Sequence, residues 1–217
     1  VPNYFDLRRN ADGSYPVNPY FSENPVAVTE NGINNSKVNR FIQAFTLDID
    51  LLKRENSFLK ASIAGGLDFL QNSTLVYLPE FLQFQRGQAN PGDLFVGRQE
   101  SFNTNFQAAL VYNWNLGRVN MNSQAGLVRL DFRDNALFNR GRGLVPGMRN
   151  LNQAAIQEIN QDFNSTVSDA GIFLQQEANF EDKIIGTVGV RWDKSTLNGN
   201  PNEYYAFPRA SVAFNLG

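Results

Sequence analysis

Phe102-Asn103-Thr104-Asn105-Phe106-Gln107-Ala108-Ala109-Leu110-Val111-Tyr112-Asn113-Trp114 is the stretch whose reading decides the fold. Phe102, Phe106, Ala108, Leu110, Tyr112 and Trp114 share one phase of a two-residue period, and Asn103, Asn105, Gln107 and Asn113 share the other. Successive side chains of an extended chain point to opposite faces, so the run is a strand with one apolar and one polar face. It is longer than the roughly 5 to 6 residues common in globular strands.

The same alternation recurs along the chain and predicts seven strands. The first sets Phe41, Phe45, Leu47, Ile49 and Leu51 against Ala44, Thr46, Asp48 and Asp50, and the second sets Leu59, Ala61, Ile63, Leu67 and Phe69 against Lys60, Ser62, Gly66 and Asp68. The third is the run quoted above. The fourth has Val119, Met121, Ala125 and Leu127 in one phase, then Val128, Leu130 and Phe132 in the other, which predicts a bulge. The fifth runs from Gly171 to Phe180. The sixth sets Ile184, Val188, Val190 and Trp192 against Lys183, Thr187, Arg191 and Asp193, and the seventh sets Ala206, Ala210, Val212, Phe214 and Leu216 against Arg209, Ser211 and Asn215.

Connections alternate in length. Short turns are expected near 52–56, 115–118 and 181–183, and longer segments near 71–101, 133–168 and 196–204. Up-and-down strands then carry their short turns on one rim and their long loops on the other, as in an outer-membrane barrel. Within 133–168, Leu151, Ala155, Ile156, Ile159 and Phe163 follow Asn150 at helical spacing, with Gln153 three residues beyond it, so a short capped helix is expected there. Residues 1–37, rich in Asn and Pro, read as a further loop.

Composition narrows the chemistry. The 217 residues include no Cys and no His, which removes disulfides, Cys/His zinc sites, His-dependent triads and cysteine nucleophiles. Nineteen basic and twenty-one acidic residues give a net charge of -2 without a long basic run, so nucleic acid is not an expected partner. No apolar run approaches the roughly 18 to 20 residues of a membrane helix, whereas barrel strands hide their hydrophobicity by alternating. The chain opens Val1-Pro2-Asn3 without a signal peptide and stops at Asn215-Leu216-Gly217 after a strand-like run. Both ends are expected to be cuts in a longer chain.

The expected architecture is therefore all-β, a segment of an antiparallel up-and-down transmembrane barrel with long extracellular loops. Seven strands do not close a bacterial barrel, so neighbours are implied. The apolar face is assigned to lipid, with Trp114, Phe180 and Phe214 near the short-turn rim and Trp192 and Phe207 near the long-loop rim. The polar face suits a hydrated lumen or plug contact. Asp48, Asp50 and Asp68 read as solvated lumen carboxylates, because they lack metal-ligand spacing; no metal or other cofactor is expected.

Tyr77, Phe81 and Phe84, in Tyr77-Leu78-Pro79-Glu80-Phe81-Leu82-Gln83-Phe84-Gln85, are the candidate contacts for substrate or a partner protein, since exposed loop aromatics stack on sugars or cover protein surface. Packing against neighbouring loops is the simpler reading of the same run. Arg140-Gly141-Arg142-Gly143 is read as an ordinary loop, and the Asn-x-Ser/Thr triplets at Asn34, Asn72 and Asn164 as chance occurrences.

Several of these stretches resemble a known family. Gly171-Ile172-Phe173-Leu174-Gln175-Gln176-Glu177, Asp182-Lys183, Gly189-Val190-Arg191-Trp192-Asp193-Lys194-Ser195 and Phe207-Pro208-Arg209-Ala210-Ser211-Val212-Ala213-Phe214-Asn215-Leu216 resemble, in order and spacing, the barrel of SusC/RagA-like TonB-linked outer-membrane proteins. Asn18-Pro19-Tyr20-Phe21 and Lys37-Val38-Asn39-Arg40-Phe41-Ile42 are similar to that family's loop-to-strand entry. The resemblance implies a partial barrel domain over residues 1–217, without the plug, taken from a 22-stranded transporter of the bacterial outer membrane. It implies import of bulky glycans or oligopeptides, energy relayed by TonB through parts missing here, a SusD-like surface lipoprotein over the long loops, contact with lipid and lipopolysaccharide, and no enzymatic role. Two alternatives stand beside it: a barrel scaffold in a larger outer-membrane assembly, and a soluble carbohydrate-binding β-sandwich.

Overall fold

The computed structural model describes residues 5–215. Leu216, assigned above to the seventh strand, lies outside the described residues. One short helix, α1 (Pro25–Asn31), precedes seven strands: β1 (Ile33–Arg54), β2 (Ser57–Leu78), β3 (Asp93–Leu116), β4 (Val119–Leu144), β5 (Ala154–Phe180), β6 (Ile184–Ser195) and β7 (Tyr205–Phe214). They form one sheet in sequence order, β1 to β7, so each inner strand pairs with its two chain neighbours. The register of β5 on β6 and of β6 on β7 is antiparallel throughout.

Contacts divide the chain into two compact units. One comprises Val1–Asn39, Leu70–Glu100 and Asp134–Asn164; the other comprises Arg40–Phe69, Ser101–Arg133 and Ser165–Gly217.

The second unit holds the three short turns, and they lie side by side. The Asn115 N–H donates to the Asn56 carbonyl (2.9 Å), the Glu181 N–H to Arg118 (3.2 Å) and the Asn215 N–H to Lys183 (2.8 Å). The three-residue connection between β5 and β6 begins with two residues in the left-handed region, Glu181 at φ 50° and Asp182 at φ 58°, a handedness that matches strand twist in hairpins. Asn179 holds it by accepting from the Asp182 N–H (2.9 Å) and donating to Asp182 Oδ1 (2.6 Å).

In this unit the register sorts the side chains of β5 to β7 onto two faces. Ile172, Trp192 and Ala206 stand in line on one face, as do Leu174, Val190 and Pro208. Gly171, Asp193 and Tyr205 stand in line on the other, beside Phe173, Arg191 and Phe207. Phe207 is therefore corrected to the polar face: it sits one position out of phase with Ala206 and Pro208.

Gln176 is the polar exception on the apolar face, opposite Val188. Its groups are satisfied within the sheet. Ser123 Oγ donates to Gln176 Oε1 (2.6 Å), and Gln176 Nε2 donates to the carbonyls of Asn122 (3.2 Å) and Glu177 (2.9 Å).

The bulge expected in β4 is absent from its pairing with β5 between residues 123 and 131. Ser123 bonds Gln176, Phe173 lies over Gly126, and Ser168 Oγ donates to Asp131 Oδ1 (2.6 Å). Each advance along β4 is matched by an equal retreat along β5, as an unbroken antiparallel register demands. What inverts is polarity. Met121, Ala125 and Leu127 share a face with Arg129 and Asp131, while Asn122 and Gln124 share the other with Val128 and Leu130. With 26 residues, β4 is long enough to carry both patterns in turn.

The first unit holds the connections 79–92 and 145–153 and the far ends of β2 to β5, while 196–204 lies in the second. Much of what was expected to be loop over 71–101 and 133–168 is strand, and only 79–92 and 145–153 connect. The expected helix over 151–163 is replaced by a single 3-10 turn, Leu151–Gln153, and the start of β5. Ala155, Ile159 and Phe163 recur every four residues, and four is a whole number of strand periods as well as about one helical turn. Asn150 makes no side-chain cap. The helix that forms lies instead in the expected N-terminal loop. Asn24 accepts from the Val26 and Ala27 N–H groups, and Pro25 occupies the first turn, where it forfeits no bond. Tyr77, Leu94 and Leu144 form this unit's buried core, flanked by Ile33, Leu75, Val96, Leu151 and Ala154.

Candidate functional site

The run that supplied the candidate contacts lies in the first unit, and the structure treats its three aromatics differently. Tyr77 is corrected from loop to the end of strand β2 and is buried at 4% exposure. Leu94 and Leu144 pack on it, and the Arg149 guanidinium stands 5.1 Å from its ring centroid. Its ring is committed to the core. Phe84 is half-buried and lines a cavity of about 270 Å³ with Asp93, Arg140 and Arg142. Phe81 projects from the loop at 39% exposure.

A polar lattice fixes the backbone of this loop. Gln83 Oε1 accepts from the Asn18 N–H (2.8 Å), and Gln83 Nε2 donates to the carbonyls of Asn18 (3.0 Å) and Phe21 (3.1 Å). Gln85 Oε1 accepts from the Gly92 N–H (3.0 Å). The N-terminal segment is tied in turn by Asn24, whose Nδ2 donates to Leu7 and Pro16 carbonyls (2.9 Å each). Phe81 is thereby presented on a braced loop, the condition for an aromatic to contact a ligand without a large ordering cost. Earlier in that segment Arg8 binds Asp6 and holds its carboxyl down to about 2.

Arg140-Gly141-Arg142-Gly143 is corrected from loop to the end of β4. Arg140 pairs with Asp93 (2.5 Å) and Arg142 with Glu158. Both guanidiniums are used in cross-strand ion pairs. Asn34, Asn72 and Asn164 also lie in strands, β1, β2 and β5.

The second unit carries the polar-face charges. Asp48 pairs with Lys60 (2.9 Å) and Asp68 with Arg40 (2.7 Å), so these carboxylates are separated into two ion pairs. Among the described residues no group of three acidic side chains is placed to hold a metal ion. Arg118 and Lys183 pair with Glu181 at the short turns. The Arg118 hydrogen bond keeps the Glu181 carboxyl below its ordinary range.

Sequence reading missed one feature of this unit. A cavity of about 550 Å³ opens against the middle of β4 and β5, the end of β6 and the start of β7, lined among others by Leu130, Asp169, Gly171, Asp193, Tyr205 and Phe207. The signal lay in the register, since Tyr205 and Phe207 add aromatics to the face that carries Arg191 and Asp193. Assigning Phe207 to the opposite face concealed it.

The family model described as TonB dependent receptor-like, beta-barrel matches residues 2–217. The TonB-dependent receptor P3 of Formosa agariphila is 23% identical over 222 residues, covering 95% of this chain and 21% of that receptor. The chain thus spans about a fifth of that relative's length. A chain in the structure of the RagAB peptide transporter matches with TM-score 0.69 at 13% identity, over 94% of this chain and 23% of that one. The RagAB peptide importer in its closed-closed state gives 0.70 at the same identity and coverage. At such identities the likeness is one of fold.

Proposed function

The chain belongs to the TonB-dependent receptor-like β-barrel family, and on that premise we propose that it is a length of wall in an outer-membrane active transporter. The apolar face of β3 and β5 to β7 meets lipid, and the polar face lines the lumen or abuts a plug. The observation that carries the reading is the uncovered apolar row itself: Leu110, Leu174, Val188, Val212 and Phe214 are each 47% exposed or more. A water-exposed face of that kind is costly, and lipid removes the cost.

In this reading the barrel has 22 strands and imports bulky nutrients, glycans or oligopeptides, using energy relayed by TonB through parts other than this chain. The family relationship supports TonB dependence, and the fold shared with RagAB supports a surface lipoprotein partner of the SusD kind seated on the long loops, where Phe81 is presented. Lipopolysaccharide would meet the outer face where Arg129 follows Leu127. The segment supplies wall and contact surface and carries out no bond-making chemistry.

The test is made on the full-length receptor that contains this segment. Expressed in a Gram-negative host, it should fractionate with the outer membrane, require detergent for extraction, and take up cargo only while TonB and the proton gradient are intact. Recovery as a soluble protein, or uptake indifferent to loss of TonB, would overturn the reading.

A further inference from the structure

We propose that the cavity against β4 to β7 is a cargo subsite for a neutral polyhydroxylated ring, one sugar unit of a glycan chain. The inference rests on the transporter reading and names its cargo class. The volume of about 550 Å³ falls within the roughly 300 to 1,000 Å³ of small-ligand sites. The strand register places Gly171, Arg191, Asp193, Tyr205 and Phe207 together on the polar face.

The walls combine three kinds of surface. Leu130 supplies an aliphatic patch, while Tyr205 and Phe207 supply aromatic ones in neighbouring register to Asp193 and Arg191. Such rings suit the C–H faces of a sugar. Between them, Arg191 Nε donates to Asp193 Oδ1 at 2.6 Å. Gly171 makes room for that carboxylate: a Cβ there would stand 2.1 Å from Asp193 Oδ1. The pair exposes guanidinium N–H donors beside a carboxylate acceptor. Adjacent hydroxyls, each both donor and acceptor, complement that arrangement.

Charge selects among guests. Arg191 and Asp193 neutralise each other, and the Lys194 ammonium lies over the Tyr204 ring, 5.0 Å from its centroid. Asp169 lines the same wall, but its Oδ1 is enclosed by the chain and makes no hydrogen bond. With Arg191 and Asp193 paired in this way, the lining offers neither an anionic nor a cationic guest an accessible unmatched countercharge. An apolar guest would desolvate Arg191 and Asp193 and return no hydrogen bond. A neutral guest with hydroxyl groups satisfies both.

The experiment is isothermal titration of the full-length receptor in detergent with four neutral probes (maltohexaose, cellohexaose, laminarihexaose and xylohexaose) and two charged ones (hexalysine and hexagalacturonate). At least one neutral probe should bind. Asp193→Ala and Phe207→Ala should each weaken it by roughly tenfold or more, the scale of a lost charge-assisted hydrogen bond or aromatic contact, with heat-modifiable electrophoretic mobility unchanged. Binding of charged probes alone, binding of none, or unchanged neutral binding in both variants overturns the proposal. TonB-dependent uptake that persists unaltered in both variants removes the subsite and leaves the transporter; absence of TonB-dependent uptake in the wild type removes both.

Discussion

A ring lying over glycine recurs in the sheet. Phe173 covers Gly126, Phe45 covers Gly65, and Phe138 covers Gly97. At Gly126 the space is closed from two sides, because a Cβ would meet the Phe173 ring at 2.6 Å and the Ala108 carbonyl oxygen at 2.7 Å. A ring can swing away; a strand carbonyl held in its ladder cannot. Gly126→Ala is therefore expected to destabilise the barrel by about 1 to 3 kcal/mol, as overpacking does, read as a lowered urea midpoint in detergent. An unchanged midpoint would show that the strands yield there. At the short turns, Glu181 gives a pH signature. Its hydrogen bond from Arg118 lowers the carboxyl pKa, partly opposed by desolvation, so the tie contributes at pH above the ordinary value of about 4.3 and disappears as pH falls through the lowered one. Carbon-detected NMR titration should place the Glu181 midpoint below that ordinary value, and Arg118→Ala should return it there.

At the scale of the strand, orientation is the testable quantity. Val188 lies on the apolar face between Gln176 and Ala210 in the register and is 58% exposed. Val188→Arg should cost about 2 to 4 kcal/mol if it stands near the bilayer midplane, measured by folding into lipid vesicles; wild-type folding would count against this facing. The strands were legible because alternation is strict wherever one face meets an apolar medium and the other does not. Past that level it inverts or fades, and the reading stopped short: β2 continues to Leu78 and β5 begins at Ala154. Ladder hydrogen bonds extend a strand without regard to side-chain polarity, so composition gives no sign of it. A four-residue spacing in the first half of β5 then imitated a helix. The placement of the three loop aromatics was partly legible: Phe81 stands exposed on its loop, but no local pattern announces that Tyr77 is buried. The cavity at Asp169 and Phe207 depends on a register across three strands, which only the assembled sheet supplies.

For the molecule as a whole, β1 and β7 each have one neighbour in the strand order, and a lipid-facing sheet demands partners on both sides of every strand. The family's barrel provides them. The ion pairs Arg40–Asp68, Lys60–Asp48 and Arg191–Asp193 have a kinetic consequence. A passage lined with uncompensated charge draws in oppositely charged solutes from a distance, raising capture rates by about 10 to 10³ and making them fall steeply with added salt. Paired charges present only short-range dipoles. Capture along this wall should then be governed by diffusion and fit, and its rate constant should change by less than about twofold between 10 and 150 mM salt, across which the screening length shrinks from about 30 to 8 Å. Stopped-flow binding to the reconstituted receptor reads this directly, and a steep salt dependence would mean that long-range attraction operates here after all.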